Sequence, residues 1–245
     1  MPLSCHNPCC NVLNILLLRY SLFLQDVVGI VMMKMFYLIV LSAFSFSVFS
    51  QSIESADVTD AALKACITST AAEKGWNQLV DVTELKCHGM NIQSLNGLSA
   101  FTALTSLSLY NNNIDNADFS ALKNLTSLNV AANNLQQINI SGLNKLIVLY
   151  GFRNKLKSVN FDGVENLQKM RLMQNEFTHI DVSNLTYLTE AHLFDNQLTD
   201  LNIDSLKQLT FLDVRQNPMP DELYDHYDSL PGIVISHDGN ADDWK

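Results

Sequence analysis

Two sets of side chains that could do chemistry recur at an interval of 21 residues. Tyr150, Arg171, His192 and Asp213 form one set; Phe152, Met173, Phe194 and Arg215 form the other. An imidazole beside a carboxylate, as His192 beside Asp213, is the acid–base half of a nucleophilic site. The nucleophile itself is missing from the neighbouring sets, so no residue is assigned a catalytic role and the protein is read as non-enzymatic. What remains is rings, a thioether and guanidinium groups. Tyr110, Tyr150, Phe152, Arg171, Met173, His192, Phe194, Phe211 and Arg215 have the composition of the energetic centres of protein interfaces, and are assigned as partner-binding residues. His88 lacks partners at metal-ligand spacing. The late acids (Asp221, Glu222, Asp225, Asp228, Asp238, Asp242, Asp243) do not follow a calcium-loop pattern. GxSxG, HExxH, phosphate-loop and dinucleotide fingerprints are missing, so neither metal nor cofactor is expected.

The interval of 21 runs from Leu104 to Met219, and the copy before it is one residue longer. Six segments share one pattern: LTSLSLYNNNI from Leu104, LTSLNVAANNL from Leu125, LIVLYGFRNKL from Leu146, LQKMRLMQNEF from Leu167, LTEAHLFDNQL from Leu188 and LTFLDVRQNPM from Leu209. A looser copy, VTELKCHGMNI, starts at Val82 with Met90 in place of the recurrent Asn. The pattern is the leucine-rich repeat, LxxLxLxxNxL. Its LxLxx core predicts a short strand with alternate residues inward, and stacked copies predict parallel strands about 4.8 Å apart. Asn112, Asn133, Asn154, Asn175, Asn196 and Asn217 are predicted to be a structural ladder, buried in the turn and bonded to main-chain groups.

Three outward columns follow from that phase. The first is Glu84, Ser106, Ser127, Val148, Lys169, Glu190 and Phe211. The second runs from Lys86 through Ser108, Asn129, Tyr150, Arg171 and His192 to Asp213. The third runs from His88 through Tyr110, Ala131, Phe152, Met173 and Phe194 to Arg215. Large aromatic residues crowd the last four copies, which is where exposed binding surface is expected. Lys169 beside Glu190, and Arg171, His192 and Asp213 in a row, predict cross-strand charge pairs.

The second half of each copy carries Asp118, Asn139, Asn160, Asp181 or Asn202, followed two residues later by Ser120, Ser141, Asp162, Ser183 or Asp204. These suit tight turns and caps, and short turns or 3₁₀ pieces are expected there. A helix beginning at Asp57–Asp60 and stopping at Gly75 would cover the first coil with Leu63, Cys66 and Ile67. After Pro218 and Pro220, a short helix over 221–230 and a last strand over 232–236 would close the other end. The fold class is therefore an α/β solenoid: an arc of about seven coils with a parallel concave sheet, an N-terminal helical cap and a short C-terminal cap. The boundaries are 51–81 for the cap, 82–219 for the repeats and 220–245 for the C-terminal cap and tail.

The chain of 245 residues carries a net charge of −10, which argues against nucleic acid as a partner. Residues 35–49 read MFYLIVLSAFSFSVF behind Lys34, with Val48 and Ser50 suited to a cleavage site. Residues 33–50 are read as a secretory signal peptide. The alternative is a retained anchor, for which the run is short; once cleaved, the chain has no stable span. Arg19 and Asp26 disfavour a span further upstream, and 1–32 is read as an over-extended start. Loss of residues 1–50 removes Arg19, Lys34 and Asp26 and leaves −11.

On these residues, and on LKACITSTAAEKGW with VTELKCHGMNIQSLNGLSAFTAL, the chain resembles bacterial secreted leucine-rich repeat proteins. In repeat length it resembles the 21-residue internalin-like class. The resemblance covers about 57–235 and implies the fold and export, to the periplasm or outside the cell. It does not identify a ligand. In an exported chain, the two cysteines left after cleavage, Cys66 and Cys87, are expected to pair; two buried thiols are the alternative. The functional expectation is a monomeric module binding a protein across its concave sheet. Glycan recognition by the aromatic patch, or a structural role in the envelope, are the alternatives. The overall acidity would favour a basic or neutral partner.

Overall fold

The computed structural model describes residues 51–238. The signal segment, the stretch before it and the acidic tail at 242–245 lie outside the described residues. Each copy of the repeat makes one turn of a solenoid and contributes one three-residue strand. The strands are β1 (Glu84–Lys86), β2 (Ser106–Ser108), β3 (Asn116–Asp118), β4 (Ser127–Asn129), β5 (Gln137–Asn139), β6 (Val148–Tyr150), β7 (Lys169–Arg171), β8 (Glu190–His192), β9 (Phe211–Asp213) and β10 (Val234–Ser236). Eight of them form one parallel sheet in the order β1-β2-β4-β6-β7-β8-β9-β10. The register is set by the repeat, with Leu107, Leu128, Leu149, Met170, Ala191 and Leu212 in one row. These central residues are buried, while their neighbours on either side point outward. The strand after the last copy, β10, joins as the eighth and extends the sheet past the seven coils read from the repeat.

On the opposite side, turns were expected, with pieces of 3₁₀ helix. One such piece, Leu98–Ala100, is present in the first coil. The next two coils instead pair β3 with β5 as a small parallel sheet. The polar residue before each turn permits an extended backbone in all of the coils that carry it, without selecting these two. Asp118, Asn139, Asn160, Asp181 and Asn202 each accept a hydrogen bond from the N–H two residues on, at 2.8–3.1 Å. The turn is closed by a side chain, so the backbone before it can stay extended.

Between the two sides lies a single apolar stack. Leu104, Leu125, Leu146, Leu167, Leu188 and Leu209 are buried one above another, and Phe119, Phe161 and Phe177 fill the far side. Each such leucine contributes about 2 kcal/mol.

The asparagines hold the coils in step. The amide nitrogen of Asn175 donates to Gly151 O (3.1 Å) in the preceding coil and to Leu172 O (3.0 Å) in its own, while its oxygen accepts from Leu156 N (3.0 Å). The same three bonds recur at Asn133, Asn154, Asn196 and Asn217. The first coil has Met90 at this place, and Asn112 reaches back to serve it, accepting from Met90 N and Ile92 N. The residue before every ladder asparagine is left-handed: Asn111, Ala132, Arg153, Gln174, Asp195 and Gln216 have φ of 55–59°. That conformation costs a non-glycine residue about 1–2 kcal/mol, and it persists because the ladder over-determines it.

Both ends are closed. Helix α1 (Ala61–Lys74) buries Leu63, Cys66, Ile67 and Ala71 against the first coil. Asp60 caps it, accepting from Ala62 N and Leu63 N, and its other oxygen accepts from Gln93 N and Ser94 N of the first turn. Burial would raise the Asp60 carboxyl, but these four N–H groups hold it below the usual carboxylate range. Gly97 lets the turn meet the chain before α1, since a Cβ there would lie 2.5 Å from Asp57 O. Cys66 and Cys87 form a disulfide that ties α1 to the end of β1. At the other end, helix α2 (Asp221–Asp228) covers the last coil with two tyrosines. Tyr224 donates to Asn217 O (3.0 Å) and Tyr227 to Leu201 O (2.7 Å), closing backbone carbonyls that would otherwise be orphaned. Burial pushes both phenols up, Tyr227 strongly.

Two outcomes follow from this scaffold. Asn175→Ala leaves two carbonyls and an N–H unpaired and lowers stability by about 1–3 kcal/mol or more in urea unfolding; a change of a few tenths would remove the ladder's structural role. Reduction of Cys66–Cys87 loosens the cap before the centre. Amide exchange in Ala61–Lys74 is expected to accelerate while β6 and β7 stay protected; uniform acceleration would contradict this.

Candidate partner-binding face

The outer face of the long sheet is set by the two-residue alternation of its strands. All nine residues assigned from sequence lie on it. Arg215 is exposed and the other eight are half-buried, because they pack on one another rather than standing free in solvent. Tyr110 and Phe152 rings are 6.5 Å apart across the second to fourth coils. His88 meets the edge of Tyr110 at 5.9 Å and bonds to Ser108 Oγ at 2.7 Å. Met173 lies between Phe152 and Phe194, and main-chain bonds from Arg153 N to Met173 O and from Gln174 N to Phe194 O join the three coils. The guanidinium carbon of Arg171 sits 5.2 Å from the Tyr150 ring centre, and that of Arg215 sits 5.8 Å from Phe194. His192 packs on Phe211 at 4.9 Å.

The charges pair differently from the expected row. Lys169 does face Glu190, at 3.2 Å. The register also sets Arg171 opposite His192, and His192 opposite Asp213. Yet Arg171 Nη2 donates to Glu190 Oε1 (3.0 Å), and His192 Nε2 reaches the same oxygen (2.9 Å). Asp213 instead takes a forked contact from Arg215, at 2.9 and 2.7 Å. A side chain two residues away on the same strand face is as reachable as one across the ladder. The carboxylates of Glu190 and Asp213 choose those partners.

Glu190 is thus the hub of the patch, a role that sequence reading missed. Its signal was an acid with Lys169 and Arg171 one coil earlier and His192 two residues later. Burial would raise the Glu190 carboxyl, but hydrogen bonds from Arg171, His192 and Lys169 hold it down at about 2. The bidentate Asp213 contact correspondingly raises the Arg215 guanidinium.

The face is a surface rather than a pocket. The larger grooves lie elsewhere, one of about 510 Å³ beside Ser94, Gly97, Asp115 and Asp118, another of about 560 Å³ beside Leu206, Thr210 and Ile233. Among the described residues no cluster of three metal-ligating side chains occurs.

Repeat, ladder and parallel sheet together define a leucine-rich repeat solenoid of 21-residue coils. No family model and no curated protein matches the chain. Among solved structures it is similar to the functional domain of InlJ from Listeria monocytogenes, which includes a cysteine ladder. There the identity is 21%, 69% of this chain and 53% of that one are covered, and the TM-score is 0.38. Internalin C2 from Listeria monocytogenes is 21% identical over 73% of this chain and 93% of that one, with a TM-score of 0.49. TLR13, in its complex with ssRNA13, is 27% identical over 56% of this chain and 22% of that one, also at 0.49. The chain therefore spans about half the InlJ domain and about a fifth of TLR13.

Because the Glu190 pKa is depressed, its contribution to stability is complete above about pH 4.5 and is lost as pH falls toward about 2. Glu190→Gln is expected to cost about 1 kcal/mol at neutral pH, the partial exposure of the site screening the rest. Parent and variant should converge near pH 2 in urea unfolding. A gap that is the same at both pH values would refute the linkage.

Proposed function

We propose that this protein is an exported, non-enzymatic recognition module that holds a protein partner against the outer face of its long sheet. The carrying observation is the half-buried aromatic patch from Tyr110 to Phe211, mounted on strands that the ladder holds rigid. Such a surface is ordered before it meets a partner, so binding costs little conformational entropy. Rings and guanidinium groups are the residues that dominate protein interfaces. The Cys66–Cys87 disulfide is the feature that supports export, since such bonds persist in oxidising compartments.

Glycan recognition is the weaker reading. A sugar needs an open ring face, and the faces of Tyr150 and Phe194 already carry Arg171 and Arg215.

The test is quantitative capture. The full-length chain is expressed in a bacterium and recovered, alongside a variant carrying Tyr150→Ser, Phe152→Ser and Phe194→Ser. Each is incubated with envelope and secreted material, and bound proteins and glycans are identified by mass spectrometry. Proteins held by the parent and lost by the still-folded variant are expected. Equal capture by both would move recognition away from this face.

A further inference from the structure

On the later coils of this face the cations are more exposed than the anions that pair with them. Three cations stand high on it: the side chains of Lys169, Arg171 and Arg215 are 49%, 40% and 45% exposed. The two anions that neutralise them lie beneath, Glu190 at 21% and Asp213 at 4%. An approaching molecule meets cationic nitrogens and ring edges first. Glu84 pairs with Lys86 at the far end of the face and Asp238 stands near Arg215, while most of the other acids are elsewhere. Asp118, Asp162, Asp181 and Asp204 line the turns of the opposite side, and Asp221, Glu222, Asp225 and Asp228 lie on α2. At physiological salt a charge is screened within about 8 Å, so at contact the acids of the opposite side and of α2 count for little beside the exposed cations.

The two arginines are also held ready. Arg171 is fixed by Glu190 and Tyr150, and Arg215 by Asp213 and Phe194. A guanidinium has five N–H donors in a rigid fork, so one carboxylate and a ring engage only part of it, and the two side chains remain 40% and 45% exposed. Such a group binds a second carboxylate without losing further rotamer freedom.

We propose that the partner of this face is an acidic polypeptide segment, carrying Asp or Glu side chains interspersed with aromatic or aliphatic ones. The carboxylates meet Arg171, Arg215 and Lys169, and the apolar residues meet Phe152, Met173 and Phe211. This rests on the reading of the face as a protein-binding surface, and replaces the basic or neutral partner that net charge alone suggests.

The test uses a random-peptide phage library selected on the full-length protein as recovered from an expressing bacterium, at physiological salt. Peptides enriched in Asp and Glu together with aromatic or aliphatic residues are expected. Their binding should weaken at least about tenfold in Arg215→Gln/Lys169→Gln. Because Asp213 sits under Arg215, Lys169→Glu alone serves as a second variant at an exposed position and should weaken the same peptides. Thermal melting checks that both variants fold. Selected peptides without acidic enrichment, lost on the aromatic triple variant, would overturn the acidic partner and leave the protein-binding face standing. No enrichment over the bare support would overturn both. Acidic peptides that bind parent and charge variants equally would place them off this face and overturn the proposal.

Discussion

Everything in this molecule depends on how a coil of 21 residues settles its backbone hydrogen bonds. Three residues of strand pair with the coils on either side, but the turn that follows has carbonyls and N–H groups facing inward, away from water. One side-chain amide closes that deficit. Asn175 and its counterparts donate to two coils and accept from the turn between them, so the group that satisfies one coil also fixes its distance from the last. An unpaired buried group would cost more than most single contacts contribute. From Leu104 onward the period therefore holds, and even a left-handed backbone at Arg153 or Gln174 is tolerated to keep it.

The character of the outer face follows from that rigidity. Strands that cannot slide present their side chains at fixed spacing, and carboxylates placed among them take whichever cations come within reach. Glu190 gathers Lys169 and Arg171, with His192 bonded to the same carboxylate, and Asp213 gathers Arg215. The anions sink and the cations remain above. The patch is thus organised by two acids that it scarcely displays, and aromatic rings serve as their flanking walls.

Much of this was legible in the sequence because it rests on relations of fixed separation. Strand phase, the asparagine ladder and the polar turn residues all follow from steps of two or 21 along the chain, and the pairing of Cys66 with Cys87 from their being the two cysteines of a chain read as exported. Three features were not legible. The partners of Glu190 and Asp213 were ambiguous, since a neighbour two residues away competes with one a coil away at similar distance. The small sheet of β3 and β5 is confined to two coils although the later turns are closed by the same side-chain bond, so the repeat pattern does not single it out. Tyr224 and Tyr227 lie past the last copy, where no repeat states which carbonyls a cap must reach.

The two ends of the stack are fastened by different means. Cys66–Cys87 joins α1 to β1 covalently, while at the far end β10 has no covalent tie and is held by its ladder to β9, by Ile235 against the core and by His237, which stacks on Tyr224 and bonds to Asp228. Under tension the molecule has a direction. A load drawn from the C-terminal side meets only non-covalent contacts and can release the coils singly, each paying out roughly 70 Å of chain. A load drawn from the N-terminal side passes from Cys66 to Cys87 through the sulfur bridge, so residues 67–86, β1 included, cannot be drawn out while the bridge holds. The solenoid unravels like knitted fabric, readily from one edge and reluctantly from the other.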